Sequence, residues 1–205
     1  MTSVTDNPEQ IATLRIELLD TDPLIWRQVE VPVSITLKLL HDTVQAAMGW
    51  FDQHLWEFRL GEQRYGLAIP GDDDWGGSPP LRADKVRLAE VLKPRKTVLD
   101  YTYDFGDSWE HRLILTDVRP GKAGEAYPRY VAGQHAAPPE DCGGLPGFYE
   151  ALEALGDPKH PDHAEVADWL GFYSPEIEEL VLRIAVDRIA RRRRPGAGRA
   201  KGSKA

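Results

Sequence analysis

The stretch Tyr103–His111, Y-D-F-G-D-S-W-E-H, places two carboxylates, Asp104 and Asp107, within a few residues of an imidazole, His111. Such a grouping can hold a histidine in one tautomer or shift its proton affinity, as general acid–base catalysis requires. Asp107 and His111 are therefore the catalytic candidates, for a hydrolase-type or metal-dependent reaction. The competing assignment is structural, with Asp107 tying down a turn and His111 packed in a core between Trp109 and Leu113. Asp104-Phe105-Gly106 spells the metal motif of protein kinases, but no glycine-rich loop and no H-R-D sequence completes it. A second grouping is aromatic. Trp50, His54, Asp104 and Trp109 would line one ligand pocket, for a peptide or a small molecule, if the segments that carry them meet. A third is metal-ligating. His160 and His163 stand three apart at the start of an expected helix, and Cys142 could add a thiolate, with Glu140, Asp141, Asp157 and Glu165 as further donors. Zinc would need three or four of these at about 2.0–2.3 Å. The sequence demands no cofactor; zinc is the ion these donors could hold, and metal content, zinc, iron or manganese, is the measurement that decides.

These side chains must be held by strands and helices that the pattern predicts. Val98 to Asp104 alternates, as does Trp109 to Leu115, with Gly106-Asp107-Ser108 as turn residues between them. This is the signature hairpin. Earlier, Ile11–Leu19 and Ile25–Val31 alternate around the turn Asp20-Thr21-Asp22-Pro23. Ser34 or Thr36 caps a helix whose apolar residues Leu37, Leu40, Val44, Ala47 and Met48 recur at helical spacing, with Gly49 as C-cap. Strands follow at Leu55–Leu60 and around Arg64–Gly66, and a short helix at Val86–Leu92. Strand-strand-helix-strand-strand predicts an α+β fold, a mainly antiparallel sheet with helices packed on it. After a short strand at Arg129–Val131, the C-terminal part reads as helical: Gly147–Leu155, Pro161–Leu170, and a last helix opened by Ser174-Pro175-Glu176. Its expected buried stripe is Ile177, Leu180, Val181, Ile184 and Ile189. The domain organisation is a flexible N-terminus (1–10), one α+β domain (11–190) and a basic disordered tail (191–205).

Charge separates the tail from the body. The 205-residue chain carries 25 basic and 33 acidic side chains. Seven of the basic ones, including Arg191, Arg192, Arg193 and Arg194, follow residue 190, which leaves the body strongly acidic. An acidic body does not suit a duplex-DNA clamp, so nucleic acid would have to dock through the tail. The aspartates of P-G-D-D-D-W-G-G miss the ligand spacing of a calcium loop. One cysteine excludes an internal disulfide framework and fits a reducing cytoplasm. No secretory leader and no apolar run of membrane-spanning length is present, so no membrane partner is expected.

The segments Thr36–Trp50, His54–Phe58 (H-L-W-E-F), Tyr103–His111, Pro138–Gly144 (P-P-E-D-C-G-G), Asp157–His163 (D-P-K-H-P-D-H) and Trp169–Gly171 resemble the plasmid pRiA4b ORF-3-like family, whose members also go by transposon-passenger, TnpR-like protein. The resemblance implies an α+β fold, a prokaryotic source and a link to mobile elements. It implies no reaction. Family members often carry a cysteine where this chain has Ala137 and a histidine where it has Trp56, which weakens any site that depends on either. The reading that follows is a non-enzymatic interaction or accessory module with an unknown protein or peptide partner. The alternatives are an Asp107/His111 enzyme and a protein that docks nucleic acid through its tail.

Overall fold

The structure, a computed structural model, describes residues 9–67, 79–92 and 97–193. The acidic run Asp72–Asp74 and the basic residues from Arg194 onward lie outside the described residues. So do the first eight residues.

Alternation makes the first hairpin. In β1 (Gln10–Leu18), Leu14, Ile16 and Leu18 are buried while Arg15 and Glu17 face outward. β2 (Ile25–Pro32) pairs with it antiparallel, Leu14 opposite Val29. α1 (Leu37–Met48) then crosses the apolar face. The Thr36 hydroxyl caps it by accepting from the Leu39 N–H at 3.2 Å, worth about 1 kcal/mol. Gly49 ends it at φ +88°, a left-handed conformation suited to glycine. Leu37, Leu40 and Val44 lose all exposure, worth roughly 1.5–3 kcal/mol each.

β3 (Trp56–Leu60), β4 (Gln63–Gly66), β5 (Leu81–Arg82) and the one-turn α2 (Leu88–Val91) follow. The signature hairpin is β6 (Val98–Tyr103) and β7 (Trp109–Pro120), and β8 (Arg129–Gln134) closes the sheet. The eight strands run in the order β5-β4-β3-β6-β7-β1-β2-β8, all antiparallel except β4 with β5. The signature hairpin thus sits in the middle of the sheet, where β7 pairs with β1 as well as with β6. This is the α+β architecture that the pattern implies.

Three helices complete the described chain: α3 (Gly144–Gly156), α4 (His163–Leu170) and α5 (Glu179–Arg193). The last departs from expectation in three ways. It starts at Glu179, not at Pro175, because Pro175 spends its carbonyl on the Ala136 N–H at 2.9 Å. Its buried residues are Leu182, Val186 and Ala190, whereas Leu180, Val181 and Ile184 are exposed. The edge strand β8 explains the rotation. Arg183 donates to the free carbonyls of Tyr130 and Val131 and lies over the Tyr130 ring, and that choice turns Leu182 onto Gly49. Finally, α5 continues past residue 190 through Arg193, which bonds Glu9 and Ser34. Arg191 and Arg192 lie exposed on its last turn.

Beneath the helices, β2 buries a guanidinium. Arg27 has no exposure, and its N–H groups donate to the carbonyls of Ala47 (2.9 Å), Trp26 (2.8 Å) and Gln134 (3.0 Å). Burial lowers its pKa to about 10, so it stays charged at neutral pH. It ties the C-terminal end of α1 to the end of β8.

Candidate functional site

Three connections meet at one end of the sheet: residues 49–55 between α1 and β3, 104–108 between β6 and β7, and 135–143 between β8 and α3. Each is pinned by side chains. Trp50 donates its indole N–H to the Pro138 carbonyl at 2.8 Å. The Asp104 N–H donates to Leu55 O at 2.8 Å, and Asp104 Oδ1 accepts from the Gly106 N–H at 2.9 Å. Glu140 accepts from the Tyr103 hydroxyl and from the Phe51 N–H (2.9 Å). Gly144 lets the third connection come down on the second. Its φ is +67°, and a Cβ there would lie 2.5 Å from the Asp107 carbonyl oxygen.

On this frame His54 stands between two carboxylates from different loops. Its Nδ1 is 3.6 Å from Asp104 Oδ2, and its Nε2 is 3.2 Å from Asp141 Oδ1. Neither contact is a hydrogen bond: the first is too long, and Nε2 has no hydrogen-bond partner although the atom is shielded from solvent. One ligand atom from each of His54, Asp104 and Asp141 fits within a 4.8 Å cluster. Asp107 holds the turn through its N–H to Asp104 Oδ1, while its own Oδ2 is buried without a hydrogen-bond partner. Around the cluster three large apolar side chains face solvent: Phe51 is 79 % exposed, Phe105 51 % and Leu55 46 %.

The floor is aromatic. Trp50 stacks on Tyr103 with centroids 5.1 Å apart, lies 5.9 Å from Trp109 and meets His111 edge-on at 5.3 Å. Of the four expected pocket residues, Trp50 and Trp109 are buried in this floor and His54 and Asp104 stand at its rim. His111 departs from the expected catalytic pair. It lies two residue pairs inward from the turn-flanking pair Tyr103–Trp109, opposite Tyr101, is 1 % exposed, and donates Nδ1–H to Trp109 O at 3.0 Å. Burial drives its pKa down to about 4, so it is neutral at pH 7. Among the described residues no ion pair or hydrogen bond joins it to Asp104 or Asp107.

Cys142 is buried, and its thiol is pushed up to about 12, first by burial and then by the nearby Asp107 carboxylate. A thiol so held is not a nucleophile at neutral pH. The expected partners of Cys142 as metal ligands are elsewhere. His163 donates Nδ1–H to Ala154 O at 2.9 Å, and His160 Nδ1 accepts from the Asp162 N–H at 3.2 Å. His160 belongs to a cleft of about 500 Å³ between α3 and α4, and Cys142, His160 and His163 form no ligand cluster among the described residues.

A second histidine cluster had no sequence signal beyond His41 beside an apolar stripe. His41 has no exposure, stacks on Trp56 at 3.9 Å, accepts from the Tyr101 hydroxyl at 2.8 Å and donates to Asp52 Oδ1 at 2.7 Å. Gln45 closes the ring, donating to the Tyr101 oxygen and accepting from the Asp52 N–H. Burial outweighs Asp52 and lowers the His41 pKa to about 4. The partnership of His54 with Asp141 was also hidden, since the two lie far apart in the chain. Its only trace is that H-L-W-E-F, Y-D-F-G-D-S-W-E-H and P-P-E-D-C-G-G, which carry the family resemblance, converge at this end.

A one-sheet α+β protein with helices on one face and a three-loop histidine–carboxylate cluster at one end is the class that fold and site define. The chain belongs to the plasmid pRiA4b ORF-3-like family, whose model matches residues 10–180. It is 38 % identical over 162 residues to the uncharacterized protein y4hQ of Sinorhizobium fredii, covering 78 % of this chain and 81 % of that one. The crystal structure of MM3350, a protein of unknown function from Methanosarcina mazei Go1, is similar with a TM-score of 0.75 and 34 % identity, covering 82 % of this chain and 94 % of that one. Among the described residues, no helix is long and apolar enough to cross a membrane.

Proposed function

We propose that this chain is a non-enzymatic interaction module that takes a protein or peptide segment at the three-loop end of its sheet. The observation that carries this reading is the exposure of Phe51, Leu55 and Phe105 around a fixed polar centre. Large apolar side chains held in water on anchored loops, with polar groups between them, are the make-up of a binding hot spot. The segment that fits presents an apolar side chain to Phe51 and Phe105. The plasmid origin in the family's description supports an accessory role on a mobile element, and the lone buried thiol suits the cytoplasm.

The test is selection from a displayed peptide library on the full chain. Selected peptides are expected to lose at least tenfold in affinity against Phe51→Ala/Phe105→Ala and to bind Leu180→Ala unchanged. Peptides that bind the double variant as well as wild type would overturn the assignment of the surface.

A further inference from the structure

We infer that His54, Asp104 and Asp141 bind a divalent transition-metal ion, through one ring nitrogen and one oxygen from each carboxylate. The inference rests on donor geometry. Nitrogen and oxygen in a charge-assisted hydrogen bond line up along the N–H direction at about 2.7–2.9 Å. His54 Nε2 and Asp141 Oδ1 approach to 3.2 Å without that alignment, and Nε2 is left without a hydrogen-bond partner. Two ligands of a common ion have this relation. Donors about 2.1 Å from an ion and this far apart subtend roughly 100° at it, between the tetrahedral and octahedral angles. Asp104 has committed Oδ1 to its own turn, and its Oδ2 lies 3.6 Å from Nδ1, the ring nitrogen that does not face Asp141. The three ligand atoms lie within 4.8 Å of one another, and because donors about 2.1 Å from one ion are at most about 4.2 Å apart, binding draws them together through side-chain rotation.

Charge points the same way. Among the described residues no lysine or arginine pairs with Asp104 or Asp141, and Asp107 adds a buried carboxylate oxygen without a hydrogen-bond partner. The other histidine–carboxylate cluster already contains a cation: Lys38 Nζ bridges Asp42 at 2.6 Å and Asp52 at 3.1 Å. One imidazole with two carboxylates suits manganese(II) or zinc(II). Three protein donors leave at least one coordination position open, and Phe51, Leu55 and Phe105 are exposed on the loops that carry His54 and Asp104. This deepens the interaction reading, because a carboxylate or imidazole of the bound segment can complete the ion. The ion itself depends only on the three donors.

The test is titration of Mn²⁺ into tag-free full-length protein, followed by electron paramagnetic resonance of the free ion, with Zn²⁺ as competitor. One site per chain is expected, displaced by Zn²⁺. Affinity is expected to fall at least tenfold in His54→Gln and in Asp141→Asn, and to be unchanged in His160→Gln. Asp141 is exposed, so that variant retains the fold, which a thermal melt checks. No binding at millimolar Mn²⁺ and Zn²⁺, or wild-type affinity in both His54→Gln and Asp141→Asn, would overturn the inference. Either result leaves peptide binding by Phe51 and Phe105, measured in chelator, to stand or fall separately.

Discussion

The His41 and His54 clusters are built from the same parts and finished differently. Each sets an imidazole among aspartates, and each takes a residue with positive φ from a loop, Asp52 in one and Asp104 and Asp141 in the other. Around His41 both ring nitrogens are hydrogen-bonded, Gln45 closes the ring, and Lys38 supplies the counter-charge. Around His54 the contacts are near misses, one nitrogen has no hydrogen-bond partner, and among the described residues no lysine or arginine forms an ion pair with Asp104 or Asp141. A satisfied buried network holds a fold in one arrangement, and an unpaired polar group calls for an explanation, of which a ligand is one. The first cluster fixes α1 to the sheet; the second is the opening at the sheet's end.

The largest expected difference is in stability against pH. His41 and His111 both have folded pKa values near 4, below the ordinary value of 6.5. The unfolded chain therefore binds more protons between pH 6.5 and 4. The stability that each contributes is full above pH 6.5, is lost as pH falls toward 4, and does not change further below it. The loss is roughly 3 kcal/mol per histidine. Urea melts across this window should show a steep fall in wild type and a shallower one in His41→Gln. Equal slopes in wild type and His41→Gln would erase the distinction between the clusters.

At constant pH 7, His41→Ala leaves Tyr101 and Asp52 without their partner and opens a cavity beside Trp56. The expected cost is about 3 kcal/mol by urea denaturation. Arg27→Met removes the donor to three buried carbonyls and should cost a similar amount, about 2–3 kcal/mol. Gly144→Ala forces a left-handed alanine against the Asp107 carbonyl and should cost about 1–3 kcal/mol while weakening metal and peptide binding together. The smallest effect is in Asp141→Asn, whose exposed carboxylate should change stability by less than about 0.5 kcal/mol. That variant is the sharpest probe, since it separates binding from folding.

Much of the fold was legible because it rests on local periodicity. Alternation marked both hairpins, and the Leu37–Met48 stripe and Gly49 marked α1, whose N-cap the sequence left between Ser34 and Thr36 and the structure gives to Thr36. The rotation of α5 was not legible. Its apolar stripe at Leu180, Val181 and Ile184 is a regular helical pattern, and the face that is buried instead, Leu182, Val186 and Ala190, goes with Arg183 reaching the carbonyls of β8. For the site, residue type was a better guide than sequence proximity. His54 and Asp104 were grouped by type as pocket residues and stand 3.6 Å apart, whereas Asp107 and His111 were linked by nearness in the chain, and strand pairing carries His111 inward to Tyr101. Asp141 was visible as a donor, and its histidine, 87 positions earlier, was not. Convergence of three loops depends on sheet order, which no local pattern contains.

The most direct test of the contrast between the clusters is a long-range nitrogen–proton spectrum of the six histidines in ¹⁵N-histidine-labelled protein, recorded before and after one equivalent of Zn²⁺. One ring nitrogen of His54 is expected to shift as a metal ligand while the resonances of His41 and His111 stay where they were. An unmoved His54, or equal shifts at His41 and His54, would contradict it.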